Sequence, residues 1–355
     1  MISDPIIFSQ NFVWHNLDLN NPIDLDELHE LLGNNYVSDI TNTFYLHYNK
    51  DFLRFALQTP NYKSEWHLGL RLKTKPAQLV AFVSAIPICL SINQIPTKSV
   101  EINFLCVHQK LRHMKLTPIL IKEITNRILR SQIHQAVYTI GTVKTISNIP
   151  ISLTRYYHKL LNPKKLAYVG FVKLNKKLTL TQLNKLNKLS PINKKINLRL
   201  MEKKDCPQAC ELLDTYLKKF KLHMMFDLTE FEHWFSTRPD VIETYVVENS
   251  DAVITDLISY YILPTVITNC PKYPVLKVAY LWYAVANSTS LNELVQSLLI
   301  ILLDKGFDLC NCLNIMDNQT FISDLNFIPG DGGLNYYLHH TSNKINPNEI
   351  GLILM

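Results

Sequence analysis

Apolar and polar positions fall into two successive alternations of strand-length and helix-length patterns, separated by a polar stretch. In the first, residues 24–32 read as a helix with Asp24 as N-cap, and 50–58 as a second helix stopping before Thr59-Pro60. Apolar runs at 67–73 and 79–87, joined by a Thr-Lys-Pro-Ala turn, and at 100–107 predict strands. Residues 117–130 predict a helix with Thr117 as N-cap, Pro118 first, and Ile119, Ile121, Ile124 and Ile128 among its apolar positions. A strand at 136–142 and a short helix at 155–161, ending before Asn162-Pro163, complete this half. The Lys- and Asn-rich stretch 175–195 is the expected boundary. Beyond it the pattern predicts helices at 206–220, 230–235, 291–305 and 316–324, and strands at 242–247, 254–262, 276–286, 307–311, 335–340 and 351–355. Strands interleaved with helices give an α/β (α+β) chain, divided here into lobes 1–190 and 191–355. The letters show no internal repeat.

Composition narrows the class. With 355 residues, 47% hydrophobic and 19% charged, the chain is globular and large enough for one big or two ordinary domains. The +6 charge is concentrated: residues 159–204 carry thirteen Lys or Arg against one acid, Glu202. This stretch reads as a solvated inter-lobe connector, with attraction to an acidic surface such as ribosomal RNA or anionic membrane as the alternative. It interleaves no base-reading aromatics, which argues against sequence-specific nucleic-acid binding. Seven cysteines lack disulfide spacing, and Cys206/Cys210 with Cys310/Cys312 lack a zinc-type C-x-x-C turn, so they read as free thiols and no metal is expected. Met1 is followed by Asp4 and Pro5 before any apolar run, and no segment is long enough to span a bilayer. The expectation is a cytoplasmic monomer.

The richest chemistry lies in residues 101–125, EINFLCVHQKLRHMKLTPILIKEIT. A strand ending at Val107, a loop with Lys110, Arg112, His113 and Lys115, and a helix start form a recipe for holding phosphates: backbone amides, helix dipole and positive charge converge. There is no glycine run followed by Lys and Ser/Thr, so a P-loop is disfavoured. The pyrophosphate of coenzyme A is the better match.

EINFLCVHQKLR resembles the acyl-CoA-binding signature of the glycylpeptide N-myristoyltransferases. YVSDITNTFYLHY (36–48) resembles the family's peptide-binding loop, GDGGLNYYLHH (330–340) its GDG segment, and GLILM its C-terminus. The resemblance runs from about residue 12 to 355. It implies two pseudo-symmetric acetyltransferase-like (GNAT-like) lobes forming one compact saddle-shaped mixed sheet, the C-terminal tail returning to the first lobe. It also implies transfer of myristate from myristoyl-CoA to the N-terminal glycine of proteins or nascent chains, releasing coenzyme A. In that scheme the backbone amides of Phe104 and Leu105 form the oxyanion hole, the α-carboxylate of Met355 is the base, and Asn103 and Thr139 orient the amine. Phe104, Leu105, Cys106, Val107, Arg112, His113, Met114, Lys115, Leu116 and Thr117 would hold the acyl-CoA. Tyr36, Val37, Asp39, Phe44, Tyr48, Tyr138, Tyr156, His158, Phe171, Tyr261, Thr265, Tyr283, Asp331 and Gly332 would line the peptide groove, His158 meeting a serine-like sixth residue. An apolar tail without charge independently suggests insertion in the core, since chain termini are usually exposed.

Some letters depart from the family. Ile140 replaces an alanine, Met114 and Lys115 stand where two basic residues are usual, and the acidic cluster after Tyr36-Val37 is reduced to Asp39. The family's aromatic segment against the CoA adenine is not matched, so either acyl-CoA affinity is lower or residues 2–8 substitute for it. The competing readings are a related N-acyltransferase with another acyl chain, a catalytically silent acyl-CoA or peptide-binding protein, and a basic ribosome-associated module.

Overall fold

The computed structural model describes residues 11–39, 42–73, 78–141, 149–176, 178–190, 196–339, 341 and 343–355. The Thr-Lys-Pro-Ala turn (74–77), residues 2–8 and residues 191–195 of the expected boundary lie outside these. The α/β class holds. Where one sheet was expected, hydrogen bonding divides the described strands into sheets of nine, seven and three. The nine-stranded sheet runs Phe12–Asn16, His67–Leu72, Leu79–Ile92, Ile95–Val107, Gln135–Ile140, Asn335–Leu338, Ser152–Leu153. Leu222–Met225 also pairs with Leu79–Ile92 and carries Ile350–Gly351 at its outer side. The seven-stranded sheet runs Ile328–Pro329, Tyr156–Leu160, Leu309–Leu313, Val278–Ala286, Ile254–Ile262, Ile242–Glu248, Leu198–Leu200. Phe44–Leu46, Thr265–Ile267 and Val275–Leu276 make the small sheet.

Each large sheet contains one parallel pair joined by a long helix. Ile95–Val107 leads through Leu116–Arg130 to Gln135–Ile140, and Val278–Ala286 through Leu291–Asp304 to Leu309–Leu313. Both parallel ladders are short. The first has only Ser99↔Gln135, Val100↔Ala136 and Glu101↔Val137. Beyond Glu101 the two strands part into a wedge, and unpaired backbone in such a wedge is available to a ligand. The halves are also interleaved: Leu222–Met225 and Asn335–Leu338 complete the first sheet, while Tyr156–Leu160 joins the second.

Several expectations change. The helix at 155–161 is the strand Tyr156–Leu160: pairing with Leu309–Leu313 overrides a weak helical pattern. The first helix begins at Pro22 with Asn21 accepting from the Ile23 amide, and Asp24 is instead buried against His15 and Arg71. The boundary stretch holds a helix, Leu180–Asn187, closed by a Thr179–Gln182 capping box. The helix after the basic loop starts at Leu116, not after Thr117. The pattern gave no signal for the strands Phe12–Asn16 and Leu222–Met225, which are completed only by distant partners.

Candidate functional site

The site is built on an irregularity in a strand. Leu79–Ile92 and Ile95–Val107 pair residue for residue from their turn to Ser84↔Asn103, after which the next pair is Phe82↔Cys106. Two steps face three, so the second strand bulges at Phe104 and Leu105. Phe104 takes φ +53°, a left-handed conformation that costs a non-glycine residue roughly 1–3 kcal/mol. Its buried ring, 5.8 Å from Tyr36 and 5.4 Å from Tyr48, holds it there. The turn takes the Phe104 amide out of the ladder, and it donates to Asn103 Oδ1 at 2.8 Å. Tyr36 Oη donates to the same oxygen at 3.3 Å. Thr139 stands on the other arm of the wedge, opposite Tyr336.

The C-terminal tail enters at this point. Ile350 and Gly351 run parallel to Leu222 and His223, and Leu352, Ile353 and Leu354 are buried. Tyr336 Oη donates to the Leu352 carbonyl at 2.8 Å, and the Ile353 amide donates to Tyr283 Oη at 3.4 Å. A Cβ on Gly351 would lie 2.6 Å from Phe220 and 3.0 Å from Leu217, so the tail's entry requires glycine. Met355 comes to rest against Glu101, which accepts from its backbone amide and, at 3.1 Å, from Asn103 Nδ2. Burial pushes the Glu101 carboxyl up to about 8, only partly offset by those two donors.

The cationic loop is a 3₁₀ turn, Gln109–Met114, followed by Lys115 at φ +53° and the helix from Leu116. No side chain caps that helix, so its first amides keep their pull on an anion, with Lys110, His113 and Lys115 exposed beside it. Arg112 is otherwise engaged: its guanidinium donates to the carbonyls of Asn35 (2.6 Å) and Val107 (3.4 Å), tying the loop to the end of the first helix.

Of the groove positions, Tyr36, Tyr48, Tyr156 and Tyr261 join Phe52, Phe104 and Tyr280 in one chain of ring contacts. Burial pushes all of these phenols above their ordinary range, Tyr280 to about 12, so they stay neutral donors. A second group comprises Phe44, Phe171 and His158, rings 6.0 and 5.4 Å apart. His158 Nδ1 donates to Asn311 Oδ1 at 2.6 Å, and burial lowers its pKa, leaving Nε2 an acceptor. The ring rests on Gly330, where a Cβ would meet Nε2 at 2.2 Å. Gly332 and Asp331 are exposed alongside, and Thr265 lies in the small sheet opposite Leu46.

Other positions are placed differently. Tyr138 alternates with Thr139 along its strand and stacks on Tyr337, on the face opposite the one Thr139 shares with Tyr336. Val37 is exposed and uses its carbonyl to bind the Leu46 amide. Asp39 Oδ1 accepts from the amides of Thr43 and Phe44, bracing the loop. Glu101 and Asn311 were not anticipated. Glu101 stands two residues before Asn103 on the same strand, and Asn311, the lone polar residue of its strand, lies directly across from His158; those positions were the available signal.

The family model of the N-terminal domain of myristoyl-CoA:protein N-myristoyltransferase matches residues 1–154, and that of its C-terminal domain residues 168–351. The chain is 41% identical to glycylpeptide N-tetradecanoyltransferase 1 of Arabidopsis thaliana, covering 99% of this chain and 81% of that one. The fold superposes with a TM-score of 0.93 and 36% identity on Saccharomyces cerevisiae N-myristoyltransferase with bound myristoyl-CoA, over 99% of this chain and 91% of that one. A GCN5-related N-acetyltransferase of Anabaena variabilis shares the fold at 9% identity, with a TM-score of 0.53 over 92% of this chain and 72% of that one.

Proposed function

The chain belongs to the myristoyl-CoA:protein N-myristoyltransferase family, and from that premise we infer its reaction: transfer of myristate from myristoyl-CoA to the amine of an N-terminal glycine. The observation that carries the mechanism is the bulge at Phe104–Leu105 facing the inserted tail. A thioester is already activated, so transfer needs an oxyanion hole, a neutral amine and a proton acceptor rather than a covalent nucleophile. We assign the oxyanion to the amides of Phe104 and Leu105. As the tetrahedral centre forms, the negative oxygen competes with Asn103 Oδ1 for the Phe104 N–H, a stronger, charge-assisted bond. The carbonyl carbon–nitrogen bond forms and the carbon–sulfur bond breaks, coenzyme A leaving as the thiol.

A terminal amine has a pKa of about 8, so the substrate arrives largely as ammonium. The α-carboxylate of Met355 draws it in and accepts its proton, with Asn103 and Thr139 orienting the nitrogen from the two arms of the wedge. The helix start at Leu116 with Lys110, His113 and Lys115 holds the CoA phosphates. Glycine is selected because a Cβ has no room in a backbone-lined slot. His158 Nε2, kept unprotonated and oriented by Asn311, accepts from a hydroxyl further along the peptide.

The same proposal has the protein act as a cytoplasmic monomer. Seven unpaired cysteines, all buried or half-buried, support the cytoplasmic compartment. Contact with the ribosome would rest on the exposed Lys164, Lys173, Lys176, Lys185 and Lys188. The rest of the described basic stretch is largely committed: Lys159 is buried, and Lys165, Arg199, Lys203 and Lys204 pair with acids. The reaction is tested by following coenzyme A release from myristoyl-CoA with octapeptides beginning Gly or Ala. Turnover with Gly alone is expected; turnover with neither, despite tight acyl-CoA binding, would establish a silent binding protein instead.

A further inference from the structure

Glu101 has no part in the scheme above, yet it stands where its two ends meet. Its backbone is clamped between Ile86 and Val137, at the last rung before the wedge opens. Its side chain is 4% exposed and accepts from the backbone amide of Met355 and from Asn103 Nδ2. Asn103 Oδ1 in turn accepts from the Phe104 amide and Tyr36 Oη. Besides the α-carboxylate of Met355 itself, Tyr36, Tyr283 and Tyr336 are the titratable groups around it, and the last two hold the tail at Ile353 and Leu352.

Resting on the proposed reaction, we infer that Glu101 is a positioning residue that anchors the tail's last peptide group and the Asn103 amide at once, so that the proton acceptor and the oxyanion donors keep a fixed spacing. No cation acts on its carboxyl among the described residues, and a buried acid without one favours its neutral form. Glu101 therefore works as a hydrogen-bond hub and not as a second base. The distinction has a direct consequence: Gln, which keeps the acceptor oxygen without any charge, should serve, and Leu, of similar size, should not.

The test compares wild type, Glu101→Leu and Glu101→Gln in single-turnover transfer from pre-bound myristoyl-CoA to a Gly peptide, together with acyl-CoA affinity. Glu101→Leu is expected to slow the transfer about a hundredfold, the cost of a misplacement near 1 Å, with acyl-CoA affinity changed by less than about twofold. Glu101→Gln is expected to recover the rate to within about fivefold of wild type, the scale of one imperfect hydrogen bond. Wild-type transfer in Glu101→Leu overturns the inference, as does Glu101→Gln being as slow as Glu101→Leu. Loss of acyl-CoA affinity in step with rate overturns it too, because it marks general disorder. If wild type itself transfers nothing to a Gly peptide, the reaction fails and the inference with it; an impaired Glu101→Leu beside an active wild type cannot arise that way.

Discussion

At the scale of single residues, specificity rests on small numbers of hydrogen bonds whose orientation the neighbours fix. Asn311 decides which nitrogen of His158 carries the proton, so Asn311→Leu should raise KM about five- to tenfold for a peptide with serine at its sixth residue. The same change should leave a peptide with alanine there unaffected; steady-state kinetics with the pair reads the difference. Gly333 packs so closely that a Cβ would lie 2.1 Å from the Thr154 carbonyl oxygen, a backbone atom that cannot step aside. Gly333→Ala should therefore lower the melting temperature and displace the segment beside His158. At this scale the letters pointed to Asn103, Phe104, Leu105 and the tail, which the structure gathers around one bulged strand, and to His158 beside Gly330. Glu101 and Asn311 were missed because each supports another residue, and a supporting role appears only when strands are laid side by side.

Elements were legible where local signals are strong and illegible where distant pairing decides. The helices Cys206–Leu217 and Leu291–Asp304 fell close to their expected bounds, since amphipathic spacing, joined in the second by a Ser290–Glu293 capping box, is written within each segment. Tyr156–Leu160 was read as helix because its polar and apolar positions fit neither period cleanly; its partners lie about 150 residues away in sequence. The tail shows how one element depends on one residue. Gly351→Val would press a branched side chain onto Phe220 and Leu217, forcing Leu352–Met355 out of register with Tyr336 and Tyr283. We expect turnover to fall at least about a hundredfold, as for reacting groups displaced by about 1 Å, while acyl-CoA binding, proposed to rest mainly on the cationic loop and the helix start at Leu116, persists. Parallel loss of both would place the tail in acyl-CoA binding instead.

For the whole molecule, the interleaving of the halves explains why the chain was divisible on paper yet is joined in space: strands from the second half complete the first sheet. The pattern of letters records order along the chain, not which sheet a strand joins. Global stability should report the buried acid at the centre. With its folded pKa raised to about 8 from 4.5, Glu101 stays protonated while the unfolded chain ionises, so its contribution is greatest below about pH 4.5 and declines as pH rises towards 8. Glu101→Gln removes that decline, and its melting temperature should gain on wild type between pH 5 and 8. Equal pH dependence in both would place the ionisation of Glu101 elsewhere. Under the proposed ribosome contact, replacing Lys164, Lys173, Lys176, Lys185 and Lys188 with Gln should spare transfer to free peptides and abolish co-sedimentation with ribosomes; a native chain that does not co-sediment would contradict that contact.

The central claim is that the α-carboxylate of Met355, delivered by a buried tail to a bulged strand, receives the amine's proton. Single-turnover transfer from pre-bound myristoyl-CoA to a Gly peptide, with the native chain and with one glycine added after Met355, tests it most directly. The account predicts a fall of about a hundredfold or more in the transfer rate with unchanged acyl-CoA affinity. An extended chain that transfers myristate at the native rate would contradict it.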